Sequence, residues 1–195
     1  MGYEKGLRTR DEILDAAGRL VFVRGYAASS FSEITAALGI SLGKITHHFP
    51  SKAALFEALF EQAVAHFREQ TLPIFEDPSL SPLQRIERVL FRIETFYASQ
   101  GEIIGCPVGQ TMADPVTATL AMRELATGVL ADTERMMALN LVEMGWSPQQ
   151  AASRAAIVTA AWQGAVLLAR GGSGIGGFRR ILGHVRTLLA EPPHG

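Results

Sequence analysis

Residues 30–52 of this 195-residue chain read Ser30-Phe31-Ser32-Glu33-Ile34-Thr35-Ala36-Ala37-Leu38-Gly39-Ile40-Ser41-Leu42-Gly43-Lys44-Ile45-Thr46-His47-His48-Phe49-Pro50-Ser51-Lys52. Ser30 with Glu33 three positions on forms a capping box, in which each residue satisfies a backbone donor that the other leaves open. The short helix it opens carries Ile34 and Leu38 on one face, and Gly39 stops it. Ile40 alone separates that glycine from Ser41, which caps a third helix through His48. Two helices this short cannot hold their own shape. They persist if Ile34, Leu38, Ile45 and Phe49 pack against longer neighbours, and the sequence supplies one on each side. Upstream, Thr9 and Glu12 form another capping box, followed by Ile13, Leu14, Ala17, Leu20 and Val21 at helical spacing up to Gly25. Downstream, Ser51 caps a fourth helix from Lys52 to about Thr71, closed by Pro73 and Pro78. A helix, a short helix, a tight glycine turn and another short helix make a helix-turn-helix. Its third helix has a polar outer face of Ser41, Lys44, Thr46, His47 and His48, which suits a DNA major groove. From the pattern alone, a solvated helix on an ordinary bundle remains the alternative.

Beyond Pro73–Pro82 the chain again reads as helices only. Ser81-Pro82 opens one that runs to Gly101, and Ile103 to Asp114 is expected to be irregular. Asp114-Pro115 starts a long helix to Met144, and Ser147-Pro148 starts the next, to Arg170. Gly171 to Gly177 is expected to be a loop before a last helix that ends near Ala190. The fold class is therefore all-α. An N-terminal three-helix helix-turn-helix domain spans residues 1–55, and a fourth helix at 52–72 connects it to a C-terminal helical domain at 73–195.

Composition supports this division. Hydrophobic residues make up 48% and charged residues 19%, which is globular and not disordered. The net charge is −1 but unevenly spread: residues 1–55 carry +2 and the remainder −3. A basic head on an acidic body is oriented by a polyanion's field. The longest uncharged apolar run, Ala155 to Ala169, is short of the ~20 residues a bilayer span needs. Met1 to Arg10 has no apolar signal core. The expectation is a cytoplasmic protein with no membrane partner. A single cysteine, Cys106, excludes an intramolecular disulfide framework and a Cys-based zinc finger.

Two C-terminal helices are richer in apolar residues than one subunit needs. Ala151, Ala155, Val158, Trp162, Ala165 and Ala169 form one stripe, and apolar residues cover most of the remaining surface. The last helix repeats Phe178, Ile181, Leu182, Val185, Leu188 and Leu189. The expected solution is a symmetric dimer packed as a four-helix bundle through Ala155, Val158, Trp162, Ala165, Phe178, Ile181, Leu182, Val185 and Leu189. An internal helix of a larger monomeric bundle is the alternative.

The segment from Ser41 to Leu55, with Ile34–Ser41 and the first helix through Phe22 and Gly25-Tyr26, resembles the signature of the tetracycline-repressor (TetR-type) family of bacterial transcriptional regulators. The resemblance covers roughly residues 9–55. It departs at Thr46, where members usually carry a tyrosine that contacts DNA, so the operator sequence cannot be carried over. It implies that Leu42, Gly43, Thr46 and His48 face base edges, and that Ser30, Ser32, Lys44, His47 and Lys52 meet phosphates. Ser30 and Ser32 at a helix N-terminus agree with that physically. Lys5, Arg8 and Arg10 are expected to form a basic arm. The resemblance further implies a small-molecule pocket in the second domain, whose walls are expected to include Phe96, Cys106, Met112, Met122, Met137, Trp162 and Gln163; each of these also reads as ordinary core. Gly105-Cys106-Pro107 is similar to a segment of some members.

The reading is thus a homodimeric regulator of an inverted-repeat DNA operator, a repressor relieved by a small apolar effector, with no cofactor and no metal. Two alternatives stand beside it. One is a small helical enzyme using Cys106, His66 or glutamates; the other is a DNA-binding scaffold without an effector. Gly172-Ser173-Gly174-Ile175-Gly176-Gly177 satisfies G-x-G-x-x-G, but no strand precedes it. His47 and His48 diverge by ~100° on a helix, so they do not grip one ion. Cys106 lacks neighbours that would activate a thiol, and Glu57 with Glu61 reads as a solvated face.

Overall fold

The computed structural model describes residues 9–18, 20, 30–99, 105–113 and 118–191, and these are helical apart from short connections. Residues 9–18 form α1. It is followed by α2 (Phe31–Leu38), α3 (Leu42–His48), α4 (Lys52–Thr71), α5 (Pro82–Ser99), α6 (Pro107–Ala113), α7 (Leu120–Glu143), α8 (Pro148–Leu168) and α9 (Gly174–Ala190). The capping signals of the first fifty residues are in place. Ser30 accepts from the Glu33 N–H at 3.3 Å, and the Glu33 carboxylate accepts from the Ser30 N–H at 2.9 Å. Gly39 ends α2 at φ 64°, a left-handed conformation that a Cβ would strain.

The two short helices each bury one residue, Ile34 in α2 and Ile45 in α3. Both enter a core with Ile13, Leu14 and Ala17 of α1, Phe49, and Leu55 and Phe56 of α4. Burial against long neighbours holds them, since hydrogen bonding within seven or eight residues does not. A larger core joins α5, α7, α8 and α9 around Phe75, Ile86, Leu90, Leu141, Trp146, Phe178 and Leu182. Between them lies a small cluster of Phe60 and Val64 from α4 with Met122, Ala126 and Val129 from α7.

Polar ties fix the larger domain. The buried Asn140 amide donates to the carbonyls of Phe75 and Met136 at 3.1 and 2.9 Å, anchoring the 3₁₀ turn Leu72–Glu76 to α7. Glu94 of α5 receives Arg179 and Arg186 of α9 at 2.9 Å each. The Arg154 guanidinium lies 3.7 Å from the Trp146 ring centroid and donates to the Leu188 carbonyl at 3.0 Å.

Three expectations are corrected. The stretch expected to be irregular contains α6, which Pro107 opens at its first position; seven residues are too few for periodicity to reveal. The long helix described after it begins at Leu120, where Thr119 accepts from the Met122 N–H at 3.2 Å; residues 114–117, where its start was expected, lie outside the described residues. The glycine-rich stretch is a shorter break than the loop expected over 171–177. The chain kinks at Gly172, φ 120°, and Gly174, φ 56°, and α9 is already under way through 175–177. Gly177 is buried where a Cβ would strike Ser173, so glycine there serves close packing.

The dimer surface is also corrected. Ala155, Val158, Trp162, Ala165, Phe178, Leu182, Val185 and Leu189 are all at most 6% exposed within one subunit, and Ile181 packs half-buried on the same core. A single chain therefore buries the stripes that were assigned to a twin. On α8 the apolar surface left over lies on the opposite side, where Ile157, Leu167 and Leu168 are 55%, 68% and 57% exposed; Leu139 and Val142 of α7 are also uncovered. The stretch Pro148–Ala190, which bends at Gly172, holds a segment long and apolar enough to cross a membrane by length and composition, which the count of uncharged residues did not show. Its inner face packs on its neighbours as a core helix does.

Phe178→Ala is expected to lower the unfolding free energy by about 3–5 kcal/mol, and Gly39→Ala by about 1–2 kcal/mol through backbone strain alone. Urea denaturation followed by circular dichroism measures both.

Candidate functional site

The outward face of α3 is built by what α3 does not bury. With Ile45 turned inward, Leu42, Gly43, Lys44, Thr46 and His47 are exposed and His48 is half-buried. Ser41, exposed, caps the helix by accepting from the Lys44 N–H at 3.3 Å and keeps its own hydroxyl hydrogen to donate. The Thr46 hydroxyl donates back to the carbonyls of Leu42 and Gly43 at 3.2 and 3.3 Å, so its hydrogen is spent inside the helix.

Positive charge gathers at the end of this helix. The Arg10 guanidinium lies 5.2 Å from the Phe49 ring centroid, so Arg10 belongs to α1 and not to a loose arm; Lys5 and Arg8 lie outside the described residues. The His47 and His48 rings meet edge to face at 5.1 Å between centroids. Partial burial, with His47, Arg10 and Lys44 close by, lowers the His48 pKa from its ordinary 6.5. Lys52 opens α4 with its ammonium 5.5 Å from the Phe56 ring centroid. At the start of α2, the Ser30 backbone N–H and hydroxyl are both engaged by the Glu33 carboxylate, at 2.9 and 3.1 Å. The Ser30 and Ser32 hydroxyls also share a hydrogen bond at 2.8 Å, so the two serines and Glu33 form one network, of which Ser32 is the exposed member.

A second site lies in the larger domain. A cavity of about 630 Å³ opens between α4, α5, α6 and α8, with Phe67, Phe96, Cys106 and Trp162 in its wall. Phe67 and Trp162 stack with centroids 6.2 Å apart. Of the seven residues expected to line it, three do. Met112 is exposed on α6, Met122 fills the small cluster under α4, and Met137 lies in the main core. Gln163 is not in the wall; its amide donates to the Cys106 sulfur at 3.5 Å. Methionine fills irregular core gaps as readily as it lines pockets, which is why the guess failed. Sequence reasoning missed the α4 wall and Phe91 of α5. The signal was available: Phe91 and Phe96 stand off the Ile86, Val89, Leu90, Ile93, Tyr97 stripe of α5 and are 59% and 46% exposed. Burial and a hydrogen bond with Cys106 push the Tyr97 phenol well above its usual pKa.

Comparison with known proteins closes the question of ancestry. Residues 13–59 match the bacterial regulatory proteins of the tetR family, and residues 82–181 match the C-terminal domain of LmrA/YxaF-like transcriptional regulators. The chain belongs to the TetR family. The HTH-type transcriptional regulator YxaF of Bacillus subtilis (strain 168) is 24% identical over 164 residues, covering 82% of this chain and 84% of that protein. LmrA of the same organism is 25% identical over 163 residues, covering 82% and 85%. The crystal structure of a TetR transcriptional regulator from Legionella pneumophila superposes with a TM-score of 0.76 at 26% identity, over 91% of this chain and 93% of that one. A TetR-family structure from Agrobacterium tumefaciens reaches 0.82 at 22% identity, over 97% and 100%, which speaks for the fold. This TetR protein is a transcriptional regulator with a DNA-binding helix-turn-helix, and its family is regulatory rather than enzymatic.

His48 is expected to titrate below pH 6.5 in an NMR pH series, with its midpoint moving up in Lys44→Gln. Because the folded-state value is the lowered one, the contribution to stability is intact above the unfolded value and declines as the pH falls through it.

Proposed function

We propose that this protein is a homodimeric repressor that holds a palindromic operator with two copies of α3 and releases it when a small apolar molecule fills the cavity. The observation that carries this reading is the double employment of α4. Its first turn packs Leu55 and Phe56 into the helix-turn-helix core, and its last turns bring Phe67 and Gln70 to the cavity wall. A ligand that displaces the far end of α4 therefore displaces the head. The cavity favours this reading over a scaffold without an effector, and its volume falls in the range of small-molecule sites. The division proposed is residues 1–55 for DNA, α4 as connector, and 73–195 for ligand and pairing. The protein works in the cytoplasm, where an operator is accessible.

In this reading Leu42, Gly43, Thr46 and His48 meet base edges, while Ser32, Ser41, Lys44, His47 and Lys52 meet phosphates or the sugar backbone. The Thr46 side chain, with its hydrogen engaged, offers a methyl and lone pairs rather than a donor. Pairing uses the exposed side of α8 around Ile157, Leu167 and Leu168, and it sets the two α3 helices about 34–36 Å apart for successive major grooves. Near-complete release needs a ligand that prefers the non-binding conformer by ~10⁴.

If each subunit neutralises about four phosphates, the log–log salt slope of operator binding is near −7 for the dimer. Lys52→Ala is expected to weaken all sequences alike and reduce that slope by about 2, whereas Thr46→Ala relaxes discrimination between sequences. Fluorescence anisotropy on an inverted-repeat duplex and on scrambled DNA reads both, and a slope near zero refutes the contact set. Ile157→Asp is expected to yield monomers in sedimentation velocity and to abolish tight operator binding without unfolding the subunit; a dimer that survives it places the interface elsewhere.

A further inference from the structure

The cavity carries charge at its rim as well as aromatic surface within. Arg88 and Arg92 line it from α5, one turn apart and so on one face. His66 and Gln70, also one turn apart, line it from α4, and Arg92 donates to the Gln70 amide oxygen at 2.7 Å. Neither guanidinium has an ion-pair partner among the described residues. The acid in the described wall, Asp77, is already engaged. It accepts from the Ser79 hydroxyl at 2.6 Å and the Ser79 N–H at 2.9 Å, which hold its carboxyl below the usual range with a smaller pull from Arg85 and Arg88, and it makes no ion pair with Arg88.

Trp162 lines the cavity at 6% exposure, with its indole N–H turned away into the packing, so the ring offers apolar surface to an occupant. Two guanidiniums on one face match the fork geometry of a carboxylate, and the same pair repels an ammonium.

Resting on the reading of this cavity as the effector site, we infer that its ligand is an amphipathic carboxylic acid. The apolar body lies among Phe67, Phe96 and Trp162. The carboxylate sits at the rim with Arg88 and Arg92. A purely hydrocarbon ligand would leave both guanidiniums without a counter-charge, and a cationic one would meet two like charges.

The test uses three probes with one body and different heads: 2-naphthylacetate, 2-naphthylacetamide and 2-(2-naphthyl)ethylamine, titrated by calorimetry into the full chain. The acid is expected to bind about tenfold or more tighter than the amide, with the amine weakest. In R88Q/R92Q the preference for acid over amide falls to about threefold or less, while R88K/R92K, which keeps the charges, retains most of it. Equal binding of acid and amide, preference for the amine, a preference untouched by R88Q/R92Q, or no binding of any probe overturns the inference. If the acid binds with this pattern but the operator stays occupied, ligand-driven release fails and the ligand class stands. If a neutral apolar compound frees the operator and no acid preference is found, the ligand class fails and release stands.

Discussion

α4 is the element that the core of the head shares with the packing of the larger domain. Its first turn closes the compartment of α1, α2 and α3, its middle packs Phe60 and Val64 on α7, and its end frames the cavity. The short helices of the head depend on it, because each buries one side chain and neither survives in isolation. The larger domain grips it through Arg68, whose guanidinium meets Asp132 of α7 at 2.9 Å. At 20 residues α4 is a rod of about 30 Å. Information passing between the domains has this rod as its direct physical route.

What the sequence made legible follows from how local each signal is. Capping by Ser30, Ser41, Ser51 and Ser147 depends on residues three apart, and each of the four caps is present in the structure. The outer face of α3 was readable for the same reason: once Ile45 is the inward residue, helical geometry fixes where its neighbours point. α6 escaped because a seven-residue helix has no period to detect, and the glycines of 172–177 were misread because backbone freedom and close packing ask for the same residue.

The cavity and the uncovered side of α8 were less legible, since both depend on which of several apolar faces turns inward. α8 is apolar nearly all round, and its sequence cannot rank its sides. The structure buries Ala155, Val158 and Trp162 and leaves Ile157, Leu167 and Leu168 uncovered, the reverse of the initial assignment. On α5 the opposite holds. Its core stripe is clean, so Phe91, standing off it beside Phe96, was a usable sign of a second apolar surface; Phe96 was assigned to the pocket wall and Phe91 was not.

Trp162 and Ile157 sit on the same helix, one in the cavity wall and the other on the uncovered side. The two sides lie about one helix diameter apart, some 10 Å. In the proposed reading, with an effector in the cavity and a second subunit over Ile157, coupling across that distance is reciprocal: if occupancy shifts subunit association, association must shift occupancy by the same factor. Cellular abundance of the protein would then be an input in its own right, tuning how much effector is needed before the genes it governs respond.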